Sequence, residues 1–339
     1  MVRKGNVTGL LPTKFLLVIF ILFIGSFGAN AFSSSEPEGE EKFNPGEMIM
    51  HHVLDAHEWH LMDGVTIPLP VILYSSERGL EVFMSSKFEH GHASHLGYTY
   101  EGGHIQAEDG HKFYDFSITK NVAQLFINVI ILMLVFLKVA SSYKKREGKA
   151  PKGLQSLIEP VIIFVRDDIA KPNIGKKYAR YMPFLLTLFF FIWIGNLIGL
   201  MPGAANLTGN IAVTGVMATI TLLFVLFSST GYFWKHVFLA PGTPMLIKPF
   251  IIMVEIIGIF SKPISLMIRL FVAITAGHIV ILSLIGLTFI FQSYFVGLAS
   301  SFIVLFINLI ELLVATIQAY VFTLFSALYI GMALDEGHH

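Results

Sequence analysis

Five long apolar segments constrain the fold of this chain more than any other feature of its sequence. A helix needs about 20 apolar residues to cross the hydrocarbon core of a bilayer. Charged residues make up only 14% of the 339 residues, against about a quarter in a typical soluble protein. The sequence therefore predicts an all-α polytopic membrane protein with five transmembrane helices. The segments run from about Val122 to Ala140, Met182 to Met201, Ile211 to Phe233, Phe250 to Leu287 and Leu298 to Leu334.

The last two apolar segments are much longer than a bilayer requires. As helices with a rise of about 1.5 Å per residue, Phe250 to Leu287 and Leu298 to Leu334 would each extend over more than about 50 Å. A helix of that length must tilt strongly or project from the membrane. The short, uncharged stretch from Thr288 to Gly297 separates them. We therefore expect the last two helices to form a long tilted hairpin that turns in this stretch.

The first 31 residues have the pattern of a secretory signal peptide. Arg3, Lys4 and Lys14 precede an apolar run from Phe15 to Phe27, and small residues follow as far as Ala31. The run is short for a ~30 Å hydrocarbon core, which favours a cleaved signal over the alternative, a permanent first transmembrane helix. Cleavage after residue 31 would start the mature chain outside the cytoplasm.

Residues 32–118 are acidic and rich in histidine, unlike the sequence that follows them. They hold fifteen Asp and Glu, four Lys and Arg, and nine of the thirteen histidines. Histidine and carboxylate are ligands that zinc or copper prefers, and His51, His52, His57 and His60 are the candidate ligands. However, the sequence HEWH departs from the HExxH zinc motif and no cysteine joins it. We expect a small solvated extracytoplasmic segment without a metal, in which the stretch 66–74 forms a short extended piece.

The charges of the loops predict the orientation in the membrane. Ten Lys and Arg lie between the first two spans, and Lys235 and Lys248 lie between the third and the fourth. The loop from Pro202 to Asn210 and the turn of the hairpin carry no charge. Because positive loops stay in the cytoplasm, residues 119–339 should form the transmembrane domain with a cytoplasmic C-terminus. The N-terminal segment is then periplasmic if the chain lies in a bacterial inner membrane, which agrees with the signal peptide.

An amphipathic helix is predicted inside the first basic loop. Apolar residues recur at helical spacing from Leu154 to Ile169, and polar residues such as Gln155 and Glu159 lie largely between them. Such a helix lies on the cytoplasmic interface or packs against the helical bundle.

Ionisable side chains within the final hairpin are the candidate functional residues. A charge deep in a bilayer costs several kcal/mol, so such residues are usually functional. For Glu255 and Lys262, near the cytoplasmic end, snorkelling of the side chain to the interface explains the charge equally well. That explanation does not suit Arg269, which lies some twenty residues into its span.

An antiparallel hairpin brings the polar residues of its two helices to matching depths. One register places Arg269 level with Gln318, and His278 level with Glu311. Arginine keeps its charge in practically any protein environment, so it repels cations and draws protons from a facing carboxylate. Histidine and glutamate can instead take up a proton and pass it on. The hairpin therefore offers a charge barrier and a proton relay.

The same residues carry a resemblance to a known family. The sequence Ser265-Leu-Met-Ile-Arg269-Leu-Phe, followed by Ala276-Gly277-His278, resembles the essential-arginine helix of subunit a of F-type ATP synthases. The stretch from Glu311 to Ala333, which includes Gln318, is similar to the last helix of that family. The sequences around Asn196 and Asn206 resemble its turn between two spans. One departure is that the family usually has Gly-Asn after Arg-Leu-Phe, where Val272 and Ala273 stand here.

The resemblance implies a function and a set of partners. Arg269 would face the ring of c subunits and separate two aqueous half-channels, with Gln318 beside it. His278 and Glu311 would belong to the outer half-channel, and Glu255, Lys262 and Asn196 are secondary candidates for the ion path. The partners would be the c ring, b-type peripheral stalk subunits, the rest of the ATP synthase, membrane lipid, and H⁺ or Na⁺ as the transported ion.

Other classes of protein fit the sequence less well. The chain has no P-loop pattern and needs no cofactor, so we expect a non-catalytic subunit of a rotary ATPase. A net charge of zero gives no basic field for nucleic acid. A secondary transporter would show inverted repeats and broken helices. A metal-delivery protein would depend on the histidines alone, and a membrane hydrolase would need a nucleophile constellation that is not visible.

Overall fold

A computed structural model describes residue 46 and residues 55–335, apart from gaps at 63–64, 92, 102, 202 and 240–243. The predicted signal peptide at residues 1–31 lies outside the described residues, as do the last four residues. The described part contains a group of β-strands followed by a bundle of long helices.

Seven short strands precede the long helices in the part of the chain that the structure describes. They pair as three antiparallel sheets, in the orders β1-β2, β4-β3-β7 and β5-β6. Val71 and Leu73 alternate with more exposed residues in β3 and pack against Phe88, Tyr98 and Ile105. The predicted extended piece at residues 66–74 is confirmed by β2 and β3, and the other strands add further β-structure to the mostly helical fold. The strands are Glu58–Met62 (β1), Val65–Pro68 (β2), Pro70–Ser75 (β3), Gly79–Met84 (β4), Tyr98–Glu101 (β5), His104–Ala107 (β6) and Phe113–Asp115 (β7).

Among the described residues, five helical spans that are long and apolar enough to cross a membrane follow the strands, as the sequence predicts. The second span combines several consecutive helical segments, and the others are single helices. The helices are Lys120–Lys145 (α1), Leu154–Phe164 (α2), Lys171–Ile174 (α3), Tyr178–Gly199 (α4), Ile211–Ser228 (α5), Gly231–Leu239 (α6), Lys248–Phe291 (α7) and Tyr294–Leu334 (α8). Each long helix has one end nearer to the strands, and we call this end its outer end.

The predicted amphipathic helix is not a separate element. After α2 the chain runs through a π-helical segment, Val165–Ala170, and α3 before it enters α4. Val165, Ile169 and Ile174 are buried in the helical core with residues of α8. The packing is so close that a Cβ at Gly331 would collide with the backbone carbonyl of Asn173. The helix therefore packs against the bundle, and a position at the membrane interface stays a prediction.

The third span ends five residues earlier than its apolar pattern indicates. Ser229 has an extended backbone, so α5 stops at Ser228, and Phe233 belongs to the separate helix α6. Thr230 caps α6, since its Oγ1 accepts a hydrogen bond from the backbone N–H of Phe233 (3.3 Å). The backbone N–H of Thr230 donates to the carbonyl of Ala333 (2.9 Å). The turn between α5 and α6 is thereby attached to the end of α8.

The last two helices pack side by side in opposite directions. Helix α7 has 44 residues and α8 has 41, which correspond to lengths of about 60 Å or more. The turn between them consists of Gln292 and Ser293 alone, and Gln292 has a left-handed backbone with φ 44°. The hairpin turn is therefore shorter than the predicted stretch 288–297, because both helices continue into that stretch.

Candidate functional site

His278 and Glu311 form the closest polar contact between α7 and α8 in the part of the chain that the structure describes. The Nδ1 atom of His278 lies 2.7 Å from Oε1 of Glu311, and Glu311 is only 4% exposed. The neighbouring Gly277 makes room for this carboxyl group, because a Cβ there would lie 2.8 Å from the same oxygen. The sequence prediction that these two residues share one depth is confirmed by this contact.

A third group fixes the protonation pattern of this pair. The Nε2 atom of His278 lies 3.2 Å from the backbone carbonyl oxygen of Gly199, at the end of α4. A carbonyl oxygen can only accept, so Nε2 carries a hydrogen. The Nδ1 atom and Glu311 then share one further proton, because two bare lone pairs would repel each other at 2.7 Å. The pair can therefore hold a single proton on either residue.

Arg269 lies on the surface of the hairpin. Its side chain is exposed, and its Cζ atom lies 4.8 Å from the centre of the Phe325 ring on α8, within cation–π distance. No carboxylate among the described residues makes an ion pair with its guanidinium group. The antiparallel register places Arg269 within about one helical turn of the level of Gln318, which is half-buried. The structure thus brings the two residues to a similar depth without a hydrogen bond between them.

Lys262 and Glu255 lie nearer the beginning of α7. The Nζ atom of Lys262 lies 5.4 Å from the centre of the Tyr329 ring. Lys262 and Tyr329 line a small, mainly apolar cavity between α5, α7 and α8, together with Thr221 and Val225. Glu255 is half-buried two turns earlier on α7. The structure therefore places Lys262 in a cavity, whereas it does not bring Glu255 into that lining.

Asn196 connects three elements of the bundle. It is buried on α4, its Oδ1 accepts a hydrogen bond from Thr208 Oγ1 (2.7 Å), and its Nδ2 donates to the carbonyl of Ala315 on α8 (3.3 Å). Asn206 shapes the same turn, since its Oδ1 accepts from the backbone N–H of Gly209 (3.0 Å). These bonds hold the turn after α4 against α8, four residues from Glu311.

The histidines of the β-strand region that the structure describes do not gather as metal ligands. No group of three or more potential ligands occurs among the described residues. His57 is buried, and its Nε2 lies 3.2 Å from Oδ2 of Asp115. Burial alone would raise the pKa of Asp115, but hydrogen bonds from His57 and Ser117 outweigh it and lower this pKa to about 2. His51, His52 and the side chain of His60 lie outside the described residues.

Comparison with known proteins identifies the helical part of the chain. Residues 122–331 match the family model described as ATP synthase A chain. The chain is 36% identical to ATP synthase subunit a of Chlorobium phaeobacteroides, in an alignment that covers 99% of this chain and 96% of the relative. The chain belongs to the ATP synthase subunit a family.

Further relatives bear the same name. The chain is 47% identical to ATP synthase subunit a of Chloroherpeton thalassium, over 67% of this chain and 69% of the relative. It is 38% identical to ATP synthase subunit a 2 of Chlorobaculum tepidum, over 90% of this chain and 77% of the relative. The resemblance of the hairpin to F-type subunit a is thereby confirmed.

The β-strand region has a match of its own. Residues 48–149 match a family model described as a domain of unknown function. This match runs beyond the predicted boundary at residue 118 and includes α1. We call residues 55–118 the β region, since they contain every described strand.

Sequence reasoning missed Trp59, which connects the β region to the helices, and two buried amides on α1, Gln124 and Asn128. Trp59 Nε1 donates to the backbone carbonyl of Gly203 at 2.6 Å, which attaches β1 to the turn after α4. Gln124 and Asn128 are fully buried on α1. A signal for the last two was available, because Asn121, Gln124 and Asn128 are spaced three and four residues apart in an apolar span. Nothing in the sequence marks Trp59, whose partner is 144 residues away.

Proposed function

We propose that this chain is the ion-conducting stator subunit of an F-type ATP synthase. The observation that carries the proposal is Arg269, which stands exposed on the hairpin without an ion-pair partner among the described residues. Membership of the subunit a family supplies the setting, a membrane sector that translocates protons. The partners are the c ring, b-type stalk subunits and the rest of the synthase.

Arg269 acts as the barrier between two half-channels. Its guanidinium group stays charged, so a ring carboxylate that arrives beside it gives up its proton. The same charge repels cations that would otherwise cross directly from one half-channel to the other. Gln318, at a similar depth on α8, lines the same surface as a neutral hydrogen-bonding group. Ions therefore cross only when the ring turns.

His278 and Glu311 load the ring from the outer side. The pair holds one shared proton in a buried site. The Nε2 atom of the His278 imidazole donates a hydrogen bond to the backbone carbonyl of Gly199. Exchange of that proton requires no movement of the backbone, because either residue can carry it. Lys262 and Asn196 are secondary members of the path, one lining a cavity and the other holding the turn beside the pair.

The orientation follows from the distribution of charge. The basic loops lie in the cytoplasm, the β region lies in the periplasm, and the C-terminus is cytoplasmic in a bacterial inner membrane. One charge that crosses 100 mV releases about 2.3 kcal/mol. Several ions must therefore be pooled for each ATP, which a rotating ring achieves. ATP chemistry itself belongs to other subunits of the complex.

The test is ATP-driven proton pumping by vesicles that hold the assembled complex. We expect Arg269→Ala to abolish pumping while the complex still assembles, and to raise passive proton leak. Arg269→Lys should retain a charge but lose the planar group. Arg180→Ala is the matched control, because Arg180 is also exposed and also lies over an aromatic ring, that of Tyr181. Full pumping by Arg269→Ala would contradict the half-channel mechanism.

A further inference from the structure

A row of amide side chains runs inward along α1. Asn121, Gln124 and Asn128 share one face of the helix and are 6%, 1% and 0% exposed. Burying an amide in a membrane helix is costly unless its hydrogen bonds are made. This row therefore needs partners in the protein or in water.

Part of that need is not met by the protein. Gln124 Nε2 and Asn128 Oδ1 have no hydrogen-bond partner in the residues that the structure describes, although Asn128 Nδ2 donates to the carbonyl of Phe191 (3.0 Å). Two threonine hydroxyl groups are also buried without a hydrogen-bond partner among the described residues. They belong to Thr119, just outside the row, and to Thr275, one turn from His278 on α7. Buried polar atoms of this kind commonly bind water.

The row leads towards the His278–Glu311 pair. Gly195 makes space beside Asn128, since a Cβ there would lie 3.0 Å from Asn128 Nδ2. The next residue, Asn196, is bonded to Thr208 and to the carbonyl of Ala315, one turn from Glu311 on α8. Polar groups thus continue from α1 through α4 to the hairpin.

The outer end of the row lies where the β region meets the helices. Asp55 Oδ1 accepts a hydrogen bond from the backbone N–H of Asn121 (3.2 Å). The Trp59–Gly203 contact fixes β1 to the turn after α4 close by. Water that enters beside this junction would meet Thr119 and Gln124 before it reaches Asn128.

We propose that Gln124 and Asn128 hold water molecules that form the outer entry of the proton path. The waters connect the junction of the β region with the His278–Glu311 pair, and protons move along their hydrogen bonds. This inference rests on the proposed function, because it supplies the entry to the half-channel that His278 and Glu311 serve. The contact between α1 and α4 would then serve proton conduction as well as packing.

Cysteine accessibility tests the row directly, since this chain has no cysteine of its own. We would introduce Gln124→Cys and Asn128→Cys separately into the assembled complex, with the other subunits free of cysteine, and add silver ion. Leu132→Cys is the control, one turn deeper on the same face but packed against the apolar core. We expect silver to inhibit pumping at positions 124 and 128 by at least fivefold, and to leave position 132 unchanged.

A second pair of variants separates hydration from packing. Asn128→Leu fills the site without a polar atom and should lower pumping at least fivefold in a complex that assembles normally. Asn128→Ser keeps a hydroxyl and space for water, and should stay within about twofold of the parent. Equal losses in both variants would indicate a packing role and would overturn the proposal.

The two proposals fail in different ways. If positions 124 and 128 are as insensitive to silver as position 132, the row is dry and the entry lies elsewhere, while the Arg269 result still stands. If silver inhibits the cysteine variants at positions 124 and 128 but Arg269→Ala pumps normally, the half-channel mechanism is wrong, although water reaches the contact between α1 and α4.

Discussion

His278 and Glu311 contact each other across the seam between α7 and α8, with 2.7 Å between Nδ1 and Oε1. The carbonyl of Gly199 occupies the other ring nitrogen of His278, so the orientation of the imidazole is fixed from a third helix. A ring held in this way can exchange only the proton that it shares with the carboxyl group. The two residues therefore act as one site, and changing either should affect both.

Glu311→Gln tests whether that shared proton is used. Glutamine has nearly the same shape and can still hydrogen-bond to His278, but it cannot release a proton. We expect ATP-driven pumping to fall at least tenfold, in line with the usual effect of removing a proton-transfer group. Thr316→Ala is the control, because it removes a hydroxyl from α8 that bonds only to Trp193 and to its own helix. Normal pumping by the glutamine variant would exclude the pair from the proton path.

Gly277→Ala tests the position of the carboxyl group without changing its chemistry. The added Cβ would lie 2.8 Å from Glu311 Oε1, so the carboxyl group must move away from His278. We expect pumping to fall severalfold although alanine favours a helix by up to about 1 kcal/mol. Gly231→Ala at the start of α6 meets nothing within 4 Å and should pump normally. Equal pumping by the two variants would show that the close approach at Gly277 is not required.

The polar residues of the hairpin could be predicted because charges are rare in apolar helices. Each ionisable residue there stands out, and the antiparallel geometry alone brings His278 level with Glu311. The position of the turn could not be predicted in the same way. Its residues are as uncharged as their neighbours, and the left-handed Gln292 has no glycine or proline to mark it.

The β region was harder to predict for a different reason. Its strands have only three to six residues, so alternation of apolar and polar residues has little length in which to appear. Pro68 and Pro70 lie at the ends of strands, where the missing N–H does little harm. The contact of His57 with Asp115 spans 58 residues, and no local pattern indicates such a pairing.

The lowered pKa of Asp115 predicts an acid-sensitive β region. A carboxyl group with a folded pKa of about 2 stabilises the fold above its ordinary value of 3.8, and this stabilisation is lost as pH falls from about 4 to 2. The side chain is 36% exposed, so we expect a contribution of about 1 kcal/mol rather than the full value of the shift. Pepsin, which is active in this range, should cut the β region faster as the pH falls.

Asp115→Asn should remove that pH dependence. The amide cannot ionise, so the variant's cleavage rate, divided by pepsin's rate on an unfolded substrate at the same pH, should be about the same at pH 4 as at pH 2. At pH 4 this ratio should be higher than that of the parent. Glu108→Gln is the control, because Glu108 is an exposed carboxylate of the same region. An unchanged pH profile in the asparagine variant would assign the acid sensitivity to other groups.

Trp59→Phe tests whether the β region is fixed to the helices at the turn after α4. Phenylalanine keeps an aromatic ring but cannot donate the 2.6 Å hydrogen bond to the carbonyl of Gly203. Loss of one such bond costs about 1 kcal/mol. We therefore expect amide hydrogen exchange in the turn 203–209 to become about fivefold faster in the assembled complex. Trp234→Phe is the control, because Trp234 belongs to α6, where its ring stacks on Phe238. If both variants exchange at the parent rate, the Trp59 hydrogen bond does not hold the turn, and Asn196 and Asn206 hold it without that bond.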